Sequence, residues 1–225
     1  MTEHPNNPER TRLRREPQRG SHDSSLIRDI IDTARICHLG LTDHDGHPLV
    51  IPTIHARVDD VLYVHGSAAS RTLRRLATGI DACCTITLLD GIVIARSGFW
   101  SSMNYRSVMV FGRARLVVEP DEAMLALDAI VDHVLPRRSA EIRRPTRREL
   151  AATKVIALPI DAASAKVRTG HPYDDPADLD SSVWAGTVPL QIVAGAPLPA
   201  PNVPEGVGVP ASVRALTSLF PPTVI

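Results

Sequence analysis

An antiparallel β-barrel with flanking helices is the fold this sequence predicts, and three observations predict it. Short runs rich in Val, Ile, Leu and Thr follow one another closely. Asp-Gly and Asp-Asp pairs punctuate them. Few helical stretches stand between them, whereas a doubly wound sheet would need a helix after each strand. Closing such a sheet removes its unpaired edges. The chain has 225 residues, of which 44% are apolar, enough for a substantial core, and it shows no internal repeat.

Residues 1–22 form a polar, Arg-rich arm, 23–186 the barrel domain, and 187–225 a Pro-rich tail. Asp23 or Ser24 can cap a helix of about ten residues, with Leu26, Ile27, Ile30, Ile31 and Ala34 on one face. A strand follows at Ile36–Thr42, then a turn over Asp43-His44-Asp45-Gly46. The next strand, His47–Val58, is interrupted by Pro52, and Asp59-Asp60 turn into Val61–His65. Gly66 and Ser67 open a short helix, Ala68–Thr78, closed by Gly79. Strands resume at Ile80–Leu89, turn at Asp90-Gly91, and continue through Ile92–Ser97. Tyr105–Glu119 is a long strand. Pro120, Asp121 and Glu122 start a helix to about Leu135, with a proline and acids in the first turn where they are favoured. An Arg-rich link and a helix at Thr146–Thr153 lead to a last strand pair, Lys154–Asp161 and Ala163–Thr169. After Gly170 the chain is loop-rich, and the prolines beyond residue 187 predict an extended or partly disordered tail.

Composition excludes several functions. The formal net charge is zero, so no global field argues for nucleic acid or an anionic membrane. Aromatics are only 4%, too few for base-stacking platforms. No run reaches the ~20 apolar residues of a membrane span, and the polar N-terminus has no signal-peptide pattern. The cysteines are Cys37, Cys83 and Cys84, an odd number without a C-x-x-C. Adjacent Cys83 and Cys84 in a strand point to opposite faces, so Cys83-Cys84 reads as core packing in a reducing compartment, and the cytoplasm is the expected location. The arm has two readings, a solvated tail strapping onto a partner subunit and a nucleic-acid arm. The lack of a continuing basic face favours the first.

Three stretches carry candidate chemistry. In Leu62-Tyr63-Val64-His65-Gly66-Ser67-Ala68-Ala69-Ser70-Arg71 a strand runs through Gly and Ser into a helix start bearing Ser and Arg. Free N–H groups, two hydroxyls and a guanidinium suit a phosphate, although an ordinary capped helix with a surface arginine reads the same way. In Val50-Ile51-Pro52-Thr53-Ile54-His55 the proline leaves ladder groups free for a planar ligand, or simply marks an edge strand. In Asn104-Tyr105-Arg106-Ser107-Val108-Met109-Val110-Phe111-Gly112 polar residues enter an apolar strand, as at a site mouth or at a solvated strand end. The nine histidines, among them His38, His44, His47, His55 and His65, form no H-E-x-x-H or similar cluster, so no metal site is expected. Asp128, Asp132 and His133 read as a solvated helix face.

The order IPTIHAR, LYVHGSAASR, ARSGFWSSMNYRSVMVFGRA, SAKVRTG and VWAGTVPL resembles the flavin-nucleotide-binding branch of the pyridoxamine 5'-phosphate oxidase family, which includes nitroimidazole-resistance proteins. The likeness spans roughly residues 10–200. It implies a six-stranded split barrel, a homodimer, and flavin mononucleotide (FMN) held at the subunit interface. Ile51, Pro52, Thr53 and Ile54 would meet the isoalloxazine edge through their backbone. His65, Ser67, Ser70 and Arg71 would face the phosphate and ribityl chain. Arg106 and Ser107 would approach the cofactor from the next strand, and Lys166 and Arg168 from the last strands of this or the partner subunit. Trp184 belongs to the branch's own VWAGTVPL motif and would cover the site. The Arg-x-His substrate clamp of the true oxidases has no match, since Arg168 and His171 are spaced differently, so the vitamin-forming activity is not carried over. The implied function is flavin-dependent redox chemistry on a small molecule, with no catalytic acid or base named. Its rivals are a non-enzymatic flavin or haem module, with His65 or His55 as axial ligand, and a deazaflavin-binding barrel.

Overall fold

The computed structural model describes residues 8–160 and 162–221. The chain is mainly antiparallel β with a few helices. In order the elements are α1 (Pro8–Thr11), β1 (Gly20–Ser21), α2 (Ser24–Thr33), β2 (Cys37–Thr42), β3 (Pro48–Thr53), β4 (Ala56–Val58) and β5 (Val61–Ser67). There follow α3 (Arg71–Leu76), β6 (Asp81–Ile94), β7 (Ser102–Arg113), β8 (Arg115–Leu116), α4 (Pro120–Val134) and α5 (Arg147–Ala151). The last are β9 (Thr153–Pro159), β10 (Ala162–Arg168), β11 (Gly186–Pro189) and α6 (Ala211–Leu219).

The ladders form two sheets rather than one closed six-stranded barrel. A seven-stranded sheet runs β1-β10-β7-β6-β2-β3, with β11 also on β6, and a four-stranded sheet runs β4-β5-β9-β8. Their inner faces share the main core. Leu39, Ile86, Val108 and Val110 from the larger sheet meet Leu62, Val64, Ile156 and Leu158 from the smaller. Ile27, Ile30 and Ile31 of α2 plug one opening of this core, on the face its apolar spacing predicts, and Asp23 caps that helix. The outer face of the smaller sheet is covered as well. Tyr63, Val155 and Ala157 pack there with Ala126 and Ile130 of α4. Residues 155–158 are therefore buried on both faces of β9, a continuous apolar run rather than an alternating one.

Several local expectations yield to longer-range contacts. No turn forms at Asp90-Gly91, because β6 runs straight through with a bulge between Leu89 and Gly91. Arg106 of β7 holds the Asp90 carboxylate in a two-point ion pair at 3.0 and 2.8 Å. A Cβ on Gly91 would lie 2.9 Å from the Val188 carbonyl, so only glycine lets β11 approach there. Gly66 and Ser67 do not open a helix. They pair with Lys154 and Thr153 of β9, and the helix begins four residues after Ser67, at Arg71. Pro52 does not break its strand, since β3 lies at the sheet margin where a missing donor is tolerated; the break falls at Ile54-His55. The strand expected over Tyr105–Glu119 is β7 followed by the short β8. The last two long strands do not pair with one another, because β9 joins β5 and β10 joins β7.

The arm, over residues 8–22, lies on this chain's own sheet. Gly20 and Ser21 pair with Lys166 and Ala165, and the Arg10 guanidinium sits 5.0 Å over the Phe111 ring. Residues 1–7 of the arm and 222–225 of the tail lie outside the described residues. The tail is less extended than expected. It supplies β11 and α6, and the Ser212 backbone N–H and hydroxyl both donate to Glu141. Among the described residues no helix is long and apolar enough to cross a membrane. Cys84 is buried and Cys83 only half-buried, as their opposite facing requires, and all three thiols are free.

The two sheets approach tightly at Gly112, where a Cβ would lie 2.7 Å from the Pro159 carbonyl and 3.0 Å from a Leu158 methyl. Gly112→Ala should therefore destabilise the fold by ~1–3 kcal/mol, the usual cost of overpacking. Urea denaturation of both proteins measures it, and an unchanged midpoint would show that the sheets can separate freely.

Candidate cofactor sites

The strand that ends at Ser67 passes through a short turn into α3, which begins at Arg71. Ser70 is the N-cap of α3 and its hydroxyl oxygen accepts from the Leu73 N–H at 3.4 Å. The Ser67 hydroxyl oxygen accepts from the Ala69 N–H at 3.2 Å. Both serines thus shape the turn, and each keeps its hydroxyl proton to donate. Arg71 is exposed, and among the described residues its guanidinium makes no hydrogen bond or ion pair. It is free to take an anion.

The other expected flavin residues fall into two groups on the larger sheet. Ile51, Pro52 and Thr53 lie on β3, whose outer edge pairs with no strand among the described residues, and Ile54 follows it, exposed. Strand alternation puts Ile51 and Thr53 on the inner face with Leu39 and Cys37, and Pro52 on the outer face with His38. Arg106, Ser107, Lys166 and Arg168 come together on β7 and β10, where Ser107 faces Lys166 and Arg106 faces Val167. These groups already have partners. Arg106 holds Asp90, which raises the guanidinium's pKa further. The Ser107 hydroxyl donates to the Lys166 carbonyl, the Lys166 ammonium to the Arg15 carbonyl at 3.1 Å, and Arg168 to the Asn104 side chain at 2.5 Å. Trp184 is exposed, with its ring resting on Gly186 at the start of β11. Within one protomer β6 and β2 separate the β3 group from the β7–β10 group, and α3 packs against β5 and β9 of the smaller sheet.

His65 points away from the face of β5 on which α3 packs. Along β5, Leu62 and Val64 enter the main core, so Tyr63 and His65 point the other way, towards α4. The start of α4 is pinned to this face by the Tyr63 hydroxyl, which donates to Glu122 at 2.8 Å, while Arg115 donates to the same carboxylate. Burial and that carboxylate push the Tyr63 pKa up to about 12. The far end of α4 is pinned by His133, whose Nε2–H donates to the Ala34 carbonyl, and by Asp132, which accepts from the Ser139 N–H and hydroxyl at 2.8 Å.

Between these fixed points α4 leaves a cavity of about 460 Å³. Met124, Leu127, Ile130 and Val131 of α4 form one wall, and Ile142, Pro145 and Leu150 the other. His65 and Thr153 lie on the strand side, and Asp128, Arg143, Arg144 and Glu149 also line it. The His65 Nδ1 is buried without a hydrogen-bond partner. Burial holds the imidazole below its ordinary pKa, so it is neutral at pH 7 and can offer a lone pair to a metal. His55, the other haem candidate, is fully buried, and its Nε2–H is committed to the Ile31 carbonyl at 3.0 Å. It lines no part of this cavity.

The sequence did not disclose this cavity. Asp128 read as a solvated helix face, the stretch before Thr146 as an Arg-rich link and Thr146–Thr153 as a helix. The one usable signal was six arginines between positions 137 and 148, more than a surface link needs.

The model of the family described as pyridoxamine 5'-phosphate oxidase matches residues 23–167. The FAD and haem binding protein of Mycobacterium smegmatis is 43% identical, with a TM-score of 0.84 over 88% of this chain and 97% of that one. The flavocytochrome Anf3 of Azotobacter vinelandii is 36% identical, with a TM-score of 0.86 over 95% of this chain and 98% of that one. A candidate 5-nitroimidazole antibiotic resistance protein of Bacteroides thetaiotaomicron is 26% identical, with a TM-score of 0.57 over 66% of this chain and 86% of that one. No protein of curated function matches the chain.

Burial lowers the pKa of both His65 and His133, so below about pH 6.5 the unfolded chain binds protons that the folded chain does not. Stability is then present above that pH and is lost as the pH falls. Thermal unfolding followed from about pH 7.5 to about pH 5 should show a smaller loss for His65→Gln than for the parent. Parallel curves would mean that His65 titrates normally in the folded protein.

Proposed function

The chain belongs to the pyridoxamine 5'-phosphate oxidase family, and from that premise we propose that it is a flavoprotein that also holds haem. Its work is redox chemistry on a small molecule. The observation that carries the haem half is the apolar cavity with the neutral, unpartnered imidazole of His65 at its strand side. A cavity of about 460 Å³ lies within the range of cofactor pockets. Two solved relatives above 30% identity are described in the same terms, one as FAD and haem binding and one as a flavocytochrome.

The flavin half rests on the family and on the unpaired Arg71 at the start of α3. Arg71, Ser67 and Ser70 would hold the phosphate next to the ribityl chain, which FMN and FAD share. The open edge of β3 at Ile51–Ile54 would meet the ring edge, with Ser107, Lys166 and Arg168 lining the space opposite. These groups lie apart in one protomer, so the site calls for a homodimer. The outer face of the larger sheet supports it, since Val50, Leu89, Met103 and Met109 are exposed there. A two-fold copy on that face would bury those side chains and complete two equivalent sites.

A bound flavin supplies two-electron chemistry and a bound haem one-electron chemistry at its iron. The chain's part is to anchor the phosphate, to offer a neutral imidazole nitrogen, and to keep water from the cavity walls. The free thiols suit a reducing compartment, and we place the protein in the cytoplasm.

The purified protein should scatter light as a dimer and absorb as oxidised flavin together with a haem Soret band. His65→Ala should remove the Soret band and leave the flavin. Flavin absorption without haem after haemin is added in excess would reduce the reading to a flavin-only protein. A deazaflavin spectrum would replace the flavin half.

Arg71→Ala should weaken FMN by about one to two orders of magnitude, the loss expected for a charge-assisted hydrogen bond. Riboflavin, which lacks the phosphate, should bind as before. Equal losses for both ligands, or none for FMN, would put the phosphate elsewhere.

A further inference from the structure

The mouth of the His65 cavity is charged, and the way its charges are balanced describes the end of the ligand that must lie there. Arg143 and Arg144 are neighbours on the loop between the Ile142 wall and α5. Both terminal nitrogens of Arg143 donate to the two carboxylate oxygens of Glu149 on α5, at 2.8 and 2.6 Å. Arg144 donates through one nitrogen to Asp128 on α4. All four side chains line the cavity. Each arginine therefore grips a carboxylate at the rim of an apolar chamber.

These pairs are exchangeable. The side chains of Arg143 and Arg144 are 68% and 69% exposed, and exposed pairs contribute little to stability. Local charge also exceeds what the pairs consume. Residues 137–149 hold six arginines against two glutamates. Among the described residues the guanidinium groups of Arg137, Arg147 and Arg148 make no hydrogen bond or ion pair. The other polar groups of the wall offer no such anchor, since Ser139 is already engaged with Asp132 and Thr153 with the Glu149 carbonyl.

We propose that Arg143 and Arg144 form a carboxylate clamp, releasing Glu149 and Asp128 to take the two carboxylates of a flat apolar ligand seated in the cavity. This rests on the haem reading of the His65 cavity, and it assigns the rim to the two propionates. No covalent bond changes. Two ion pairs exchange one carboxylate for another; Glu149 keeps its capping-box bonds to Thr146, and Asp128 turns to water. Arginine suits the exchange because its planar fork meets a carboxylate in two-point geometry and stays charged at every working pH.

The test uses the full-length apoprotein titrated with haemin and with haemin dimethyl ester, in which both carboxylates are capped, following the Soret band. Wild type should bind haemin about tenfold or more tighter than the ester. Arg143→Gln/Arg144→Gln should weaken haemin by a similar factor and bind the two ligands alike. The ester comparison on wild type needs no substitution, so misfolding of the variant cannot imitate the result. If wild type binds ester and haemin equally, or the double variant keeps the preference, the clamp is wrong. In that case a Soret band that His65→Ala still abolishes would leave the haem reading standing. If wild type binds neither ligand, both ideas fall together.

Discussion

The smaller sheet is buried on both faces, and the remainder of the molecule follows from that constraint. One face must meet the larger sheet, so Leu62, Val64, Ile156 and Leu158 are apolar. The other must be covered too, so Tyr63, Val155 and Ala157 are apolar and α4 lies over them. Strand alternation then gives every second residue of β5 to a different core. His65 is the residue at which the α4 cover ends. It is drawn to that side by parity alone, and the cavity forms beside α4, where Ala126 and Ile130 seat the helix on the sheet and residues 142–150 face it across the gap.

On this reading, residues 65–71 serve two cofactors. His65 and Ser67 lie on β5, His65 facing α4, and Ser70 and Arg71 follow at the start of α3. A strand buried on both sides gives both groups the same rigid support. Displacement of β5 would disturb haem ligation and phosphate anchoring together.

What could be read in the sequence is what short-range physics decides. The α2 helix, its Asp23 cap and its Ile27-Ile30-Ile31 face appear as periodicity predicts. So do β2 and the turn before β3. The misreadings share a cause. At Asp90-Gly91 a good turn pair is overruled by Arg106 and by β11, both remote in sequence. At Gly66-Ser67 a plausible helix start is overruled by a ladder to residues 153 and 154. The cavity left only the faint signal of a crowded arginine run, because its walls come from one face of α4 and from a segment whose arginines look like ordinary solvated charge. Side-chain polarity marks a surface, but it does not say whether that surface is concave.

The pairing of β5 with β9 has a consequence for biogenesis. Each residue of β5 meets a partner 86 to 98 positions further along the chain. On the ribosome, β4 and β5 emerge early as a hairpin with one bare edge and two apolar faces. They wait for β9 while roughly 90 residues are made, which takes several seconds at common elongation rates. For that interval the nascent chain exposes the kind of strand edge that templates aggregation. A message that ends before residue 153 would yield a fragment that can never leave that state, and cells that make this protein have reason to keep a chaperone near it.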